Sequence, residues 1–299
     1  MLVKNEAHHL RSSLPMVIQQ RSELAFEIVV IDSGSTDGSR ELVADFRQNH
    51  PPVRLHAIEP DRFHHARTRN LGASLAPGRY LVFLGGDAVP RDDNWLAGLT
   101  LPFREGTRGL AASYSRQVPR EDADVNNLCR MGYNYGDVSR VKDRDEPRSP
   151  KEKYFFSSVS CCIDLQAIAP PLFDERFPVN EDWTFARRMI GEGRKIAYCA
   201  DSVVVHSHNY GYWDMLRRSF DNGVVGSKLG ILDGDDPLVR EEARQYLRYG
   251  WARLRERGLR ARLQFVSFFL LSGVGVQLGM HHRLLPERLC TALSKYRTV

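Results

Sequence analysis

Short β-branched and apolar runs alternate along the first third of the chain with longer stretches whose apolar residues recur at helical spacing. Met1 to Val3 reads as the end of a strand running into Lys4-Asn5-Glu6. A helix is predicted over His8 to Gln20, then a strand over Glu27 to Ile31 and a helix over Ser39 to Asn49. Val53 to Ala57 follows as a short strand. A helix over His65 to Ala76 stops at Pro77-Gly78, and Arg79 to Leu84 is the next strand. Such alternation implies an α/β fold with a mostly parallel sheet flanked by helices.

The middle of the chain breaks this pattern. Pro119 to Lys153 is rich in charge, carries Pro147 and Pro150, and has few apolar runs, so it reads as a mobile loop or lid with short helical pieces. Regular structure is expected again at Tyr154 to Asp164 and at Ile196 to His206. Near the C-terminus, Leu263 to Met280 carries no charge and is flanked by Arg260, Arg262 and Arg283. That length is at the lower limit for a membrane span. Gln264, Ser267, Ser272, Gln277 and glycines dilute it, so it reads as a helix that packs on the domain or lies on an anionic bilayer face.

Composition adds little beyond exclusion. With 299 residues, 42% hydrophobic and 26% charged, the chain suits one or two globular domains. Its net charge of +5 fits an anionic ligand or membrane surface as easily as nucleic acid. The five cysteines form no CxxC pair, and MLVKNEAHHL lacks the apolar core of a signal peptide. Reduced thiols in a cytoplasmic protein are expected. No GxGxxG follows the first strand, which argues against a dinucleotide oxidoreductase.

Two strands deliver an acid to the sheet edge where ligands bind in such folds. IVVIDSGSTDGS ends a β-branched run at Asp32, follows it with small residues, and carries a second acid, Asp37. The same residues can serve as a strand end and helix cap. RYLVFLGGDAVP brings Asp87 to the edge after two glycines that permit close backbone approach, and a carboxylate there suits Mg²⁺ held against substrate phosphates. Between them, DRFHHARTRNLGA offers Arg62, Arg67 and Arg69, either as phosphate or base contacts or as a solvated basic face. His65 and Arg69 share a helix face, with Asn70 and Gly72 beside them. FPVNEDWTFARRM reads as a helix start, with Asn180 as cap and Glu181 and Asp182 at the positive end of the dipole. A carboxylate aimed there into a cleft would also serve as a general base. VVVHSHNY puts His206 and His208 on one side of a strand end, an arrangement open to metal or diphosphate. The pairs His8-His9, His64-His65 and His281-His282 read as surface.

In order and spacing, KNEAHHL, IVVIDSGSTDGS, FHHARTRNLGA, YLVFLGGDAVP with Trp95, NEDW, and VHSHNY followed by LRRSFDNG resemble an inverting family 2 glycosyltransferase of the GT-A fold, nearest to bacterial rhamnosyltransferases. The resemblance spans about Leu2 to Gly223. It implies a GT-A domain over residues 1–223, with a donor half to about 115 and an acceptor half beyond, and a helical C-terminal region over 224–299 that is a candidate for membrane association. It implies that Asp32 holds the nucleotide base or ribose, with Asn5, Glu6 and Arg69 lining the same nucleotide-sugar site. Asp87 would hold Mg²⁺ or Mn²⁺ against the diphosphate, with His206 or His208 as a further ligand. Asp182 would deprotonate the acceptor hydroxyl, and Glu181, Trp183 and Asp37 would be additional site residues. The implied partners are a nucleotide-sugar donor such as dTDP-rhamnose and a glycan or lipid-linked acceptor at the inner face of the cytoplasmic membrane, with no nucleic acid. Two departures stand out. Gly85 occupies the place of the first acid of the family's Asp-x-Asp motif, which leaves a catalytically inactive nucleotide-sugar-binding protein as the alternative. The family's first strand also begins several residues before Met1 here.

Overall fold

The structure, a computed structural model, describes residues 1–50, 52–145, 149–233 and 236–298. In the first half, β1 (Leu2–Val3), α1 (Ala7–Ile18), β2 (Ile28–Asp32), α2 (Ser39–Asn49), β3 (Val53–Ala57), α3 (His65–Leu75) and β4 (Tyr80–Leu84) lie within a residue or two of the predicted elements. Then come β5 (Val89–Pro90), α4 (Trp95–Arg104), β6 (Leu110–Val118), α5 (Val125–Asn134), β7 (Arg140–Lys142), α6 (Pro150–Lys153) and β8 (Ser160–Asp164). The chain closes with α7 (Glu181–Gly191), β9 (Lys195–Val205), α8 (Tyr212–Lys228), α9 (Pro237–Arg253), α10 (Gly258–Met280) and α11 (Glu287–Leu293).

Strands β1, β2 and β3 pair in parallel, and a parallel bridge from Leu2 to Gly85 joins β1 to the end of β4. β8 is antiparallel to both β4 and β6, and β9 is parallel to β6. It follows that β1, β2, β3, β4, β6 and β9 all point one way, with β5, β7 and β8 reversed. The sheet is mostly parallel, and its carboxyl edge gathers the residues that follow β1, β2, β4, β6 and β9. The reversed β8 brings its preceding loop, Ser157 to Val159, to that same edge. Two cores lie on the faces. Leu10, Leu14, Val30, Val43 and Trp95 fill one, and Tyr114, Phe156, Phe173, Phe185 and Met189 fill the other. All five cysteines are free and buried.

The segment after Pro119 is not a loose lid. Its α5 buries Asn126, Asn127, Cys129 and Met131, and β7 pairs with β9. The apolar face that the charged sequence conceals is covered from a distance. Cys129 packs with Leu254 and Phe265, and Tyr133 stacks near Tyr246 with ring centres 5.1 Å apart. Pro147, one of the two prolines behind the loop expectation, lies outside the described residues.

Gly223, where the sequence reading ends the GT-A domain, lies inside α8, which runs to Lys228 with α10 packed along it. Glycines permit this approach. A Cβ on Gly279 would stand 2.0 Å from the Phe220 carbonyl oxygen, and one on Gly223 would stand 2.2 Å from that of Val276. Small residues let helix backbones meet where any side chain would hold them apart. By length and composition Arg255–Met280 is long and apolar enough to cross a membrane. One side of it is packed on protein through Phe265, Phe268, Gly275 and Gly279. The other presents Leu259, Leu263, Leu270 and Val274, all exposed. Their spacing of four, seven and four residues sets them on one helix face.

Candidate active site

At one end of the carboxyl edge, the loop after β2 folds back on the chain itself. Asn5 adopts a left-handed conformation, φ 58°, and its Oδ1 accepts the Thr36 amide at 2.8 Å. Asp37 accepts the Ala7 amide at 2.9 Å and the Ser39 amide at 3.0 Å, so it caps α1 from across the loop. The Ser39 hydroxyl and these amides hold the Asp37 carboxyl below its usual range. Both of its oxygens are therefore committed to the fold. Asp32 differs. Its Oδ1 accepts the amides of Gly34 and Ser35 at 3.0 and 3.1 Å, while Oδ2 is buried with no partner. A buried carboxylate oxygen without a donor is costly and calls for a ligand or a functional explanation.

Further along the same edge, Asp87, His206 and His208 converge, their ligand atoms all within 4.8 Å of one another. Asp87 Oδ2 lies 3.3 Å from His206 Nε2 and 3.1 Å from His208 Nε2. Burial opposes ionisation of Asp87, but the hydrogen bond and charge of His206, with His208 behind it, hold its carboxyl well below the usual range. Burial and the neighbouring His206 push His208 down to about 4, so it is neutral at pH 7. His206 Nδ1 lies 2.9 Å from Gln117 Oε1, and the Gln117 amide donates to Ser157 Oγ at 2.6 Å, which fixes the imidazole with its Nε2 toward Asp87. Such an outer partner is what a metal-ligating histidine normally has. One carboxylate and two imidazoles, held this way, fit a divalent cation completed by diphosphate oxygens.

The glycines before Asp87 serve the chain itself. A Cβ on Gly86 would stand 2.9 Å from Leu2 O and 3.1 Å from Glu6 Cγ, so the residue is small because β1 passes against it. Glu6 is thereby placed near Asp87. Burial and the Asp87 charge raise its pKa, against the hydrogen bond from His9 at 2.7 Å.

The third group begins α7. Glu181 is 6% exposed and pairs with Arg69 at 3.0 Å and with the Ser158 hydroxyl at 3.0 Å. Burial works against its charge, yet Arg69 keeps its pKa low. Asp182, next to it and half-buried, has no such partner. Burial and the Glu181 charge raise its carboxyl to about 7. Neighbouring carboxyls driven apart in this way are assigned different roles, one structural and one titrating. Arg69 thus reaches the start of α7. Trp183 packs against Val179, Val225 and Leu229. Asn180 caps α7 by position only. Its φ is 57°, and its amide donates to Asn222 Oδ1 at 3.1 Å, tying α7 to α8. Arg62 and Arg67 are exposed, and Asn70 clamps Phe173 through both its amide groups.

Several residues at this edge were misplaced by the sequence or carried no signal in it. His65 is not surface: it is half-buried, its carbonyl accepts Arg69 at 3.3 Å, and its ring stands 6.2 Å from that of Tyr296. Arg120, after β6, donates to the Asp87 carbonyl at 2.8 Å and the Ser207 carbonyl at 2.9 Å, locking two approaching loops. Tyr210, Arg218 and Tyr296 complete the wall between His208 and His65. They come from the turn after β9, from α8 and from the C-terminal tail, and only the tertiary fold brings them together.

The mostly parallel sheet, with a carboxylate–histidine cluster and a second carboxylate at its carboxyl edge, has the GT-A fold of solved glycosyltransferases. The mannosyltransferase PcManGT from Pyrobaculum calidifontis, solved with GDP-Man and Mn²⁺, aligns with a TM-score of 0.60 at 18% identity over 92% of this chain and 85% of that one. S. aureus TarS 1-349, solved with UDP-GlcNAc, aligns with a TM-score of 0.56 at 12% identity over 95% of this chain and 90% of that one. Residues 1–163 match glycosyl transferase family 2, and the chain belongs to that family. The O-antigen chain rhamnosyltransferase WbaN of Salmonella anatum is 30% identical over 94% of this chain and 88% of its own length. RfbN of Salmonella typhimurium, another O-antigen chain rhamnosyltransferase, is likewise 30% identical over 94% of this chain and 88% of its own length.

Proposed function

We propose that this glycosyltransferase moves rhamnose, with inversion at the anomeric carbon, from dTDP-rhamnose or a closely similar donor to a hydroxyl of a glycan or lipid-linked acceptor. The observation that carries this reading is that Asp32, the Asp87 cluster and Asp182 occupy one sheet edge, in a chain whose relatives include O-antigen chain rhamnosyltransferases. Asp32, with its free buried oxygen, faces the nucleoside, and Asn5 and Glu6 shape the same pocket. Asp87 with His206 and His208 would hold the divalent cation, which when bound neutralises charge gathering on the leaving diphosphate. Two imidazoles in the donor set favour Mn²⁺ over Mg²⁺. Asp182 accepts the proton of the acceptor hydroxyl. That oxygen bonds to the anomeric carbon as the bond from this carbon to the diphosphate oxygen breaks. Arg69 keeps Glu181 ionised beside Asp182 and so keeps Asp182 basic near neutral pH.

Thermal stabilisation by nucleotide sugars in the presence of Mn²⁺ tests the donor. A dTDP-rhamnose shift well above those of UDP- and GDP-sugars is expected, because only a ligand that binds the folded state raises its melting temperature. A preference for a UDP-sugar overturns the choice.

The exposed face of α10 supports placing this enzyme peripherally on the cytoplasmic membrane, where lipid-linked acceptors reside. Leu259, Leu263, Leu270 and Val274 stand among the exposed Arg255, Arg257 and Arg260, the combination that binds anionic interfaces. The protein is expected to sediment with vesicles containing phosphatidylglycerol and to release at high salt. Indifference to such vesicles removes this face as the anchor.

A further inference from the structure

Beyond the residues that match the family, the C-terminal tail is bound with unusual completeness. Asp221, 1% exposed on α8, accepts the Ser294 hydroxyl at 2.6 Å, the Lys295 amide at 2.8 Å and the Tyr296 amide at 3.1 Å, and also the Thr298 hydroxyl. Arg217 donates to the Ser294 carbonyl at 2.6 Å and Lys228 to that of Thr298 at 3.0 Å. A buried carboxylate saturated by one short segment fixes that segment against its helix. The fixation presents Tyr296, whose ring packs beside Trp183 and Val179 and whose hydroxyl accepts Arg218 at 2.7 Å.

Arg218 is the group this arrangement serves. Its guanidinium lies 4.6 Å over the Tyr210 ring and 5.8 Å from the Tyr296 ring, held between two neutral phenols. Among the described residues no carboxylate comes within ion-pair distance of it, whereas Arg69 on the same wall is paired with Glu181. The Tyr210 ring beneath it stands 5.5 Å from that of His208, beside Asp87, and the Tyr296 ring 6.2 Å from that of His65. It therefore stands between the cation cluster and the base. The Asp214 carboxylate, which feels its charge, is already paired with Lys295 at 2.9 Å. A half-buried guanidinium with no ion-pair partner of its own is poised for an anion, and its planar fork matches phosphate oxygens.

We propose that Arg218 contacts the diphosphate of the donor, and that the tail Ser294–Thr298 positions it through Tyr296. The inference rests on the nucleotide-sugar reading above, which leaves the tail and Arg218 without a role.

The test compares dTDP with dTMP binding to the full chain by calorimetry with Mn²⁺, repeated with the UDP/UMP and GDP/GMP pairs. A contact to the outer phosphate of the diphosphate raises only the diphosphate affinity. Arg218→Gln is expected to narrow the diphosphate preference about tenfold, the effect of one charge-assisted hydrogen bond, with Arg218→Lys restoring part of it. Tyr296→Phe keeps the ring in its cluster and loses only the hydroxyl, so its melting temperature should hold while the preference narrows. Added to Arg218→Gln, it should cause no further loss, because the two act as one unit. Equal weakening of both nucleotides by Arg218→Gln overturns the contact, and full additivity of the two substitutions overturns the positioning. If no nucleotide of any pair binds the unaltered protein, the donor reading itself has failed.

Discussion

Asp182→Asn is expected to abolish sugar transfer while nucleotide binding survives. The substitution preserves shape and removes the carboxylate at the start of α7 that is basic near neutral pH and has no cationic partner, its Oδ1 accepting only the Trp183 amide at 2.9 Å among the described contacts. Glu181 cannot replace it, since Arg69 and Ser158 already occupy its carboxylate. Loss of a positioned general base costs about 10²–10⁴-fold in rate. The pH dependence carries a second signature. With the Asp182 carboxyl raised to about 7, the proton-accepting form grows as pH rises through that value, so transfer should increase across the same range. The Glu181→Gln variant separates the two acids. It removes the charge that raises Asp182 and leaves Arg69 buried without a counterion, a fault that costs about 3–5 kcal/mol of stability. Its melting temperature should fall, whereas that of Asp182→Asn should not. Full activity in Asp182→Asn would remove the residue from the chemistry.

Most of the scaffold was legible because β-branched runs and helical spacing are local signals. β2 and β4 were readable from their apolar runs, and the acid at the end of each sits at the sheet edge as expected. What stayed hidden depends on contacts made across the chain. The charged stretch from Pro119 conceals α5, whose burial comes from Leu254 and Phe265, more than a hundred residues away. Asp37 reads as an additional site candidate and Asn70 stands beside the candidate arginines; in the fold one caps α1 and the other clamps the chain at Phe173. Polar side chains that satisfy backbone groups and polar side chains that hold ligands are the same residue types, and only geometry separates them. Arg218 shows the converse. In LRRSFDNG it is one arginine of two. Arg217 takes the Ser294 carbonyl, while Arg218 faces the edge, a difference set by the turn of the helix and by Tyr296.

Asp87→Ala should eliminate metal-dependent nucleotide binding, and Gln117→Leu should weaken it in a graded way. Asp87 supplies the only anionic ligand of the cluster. Without it two neutral imidazoles remain, and a Mn²⁺ ion would keep its full charge against a buried site. Gly85 stands where a second acid would compensate, so nothing adjacent in the chain restores the lost carboxylate. Gln117 stands behind His206, outside the cluster of Asp87, His206 and His208. Its Oε1 accepts from His206 Nδ1 at 2.9 Å and so keeps Nε2 turned toward Asp87, where a bound cation would meet it. Leucine removes that acceptor and frees the ring to rotate or exchange its proton, a loss of about 10–100-fold in metal affinity for such an outer contact. Titration of Mn²⁺ by electron paramagnetic resonance, with and without dTDP, reads both variants directly. The expected order of affinity is the unaltered protein, then Gln117→Leu, then Asp87→Ala, with the transfer rate following the same order as the leaving diphosphate loses its counter-charge. Unchanged Mn²⁺ binding in Asp87→Ala would place the cation elsewhere on the edge and reduce the two histidines to direct contacts with phosphate.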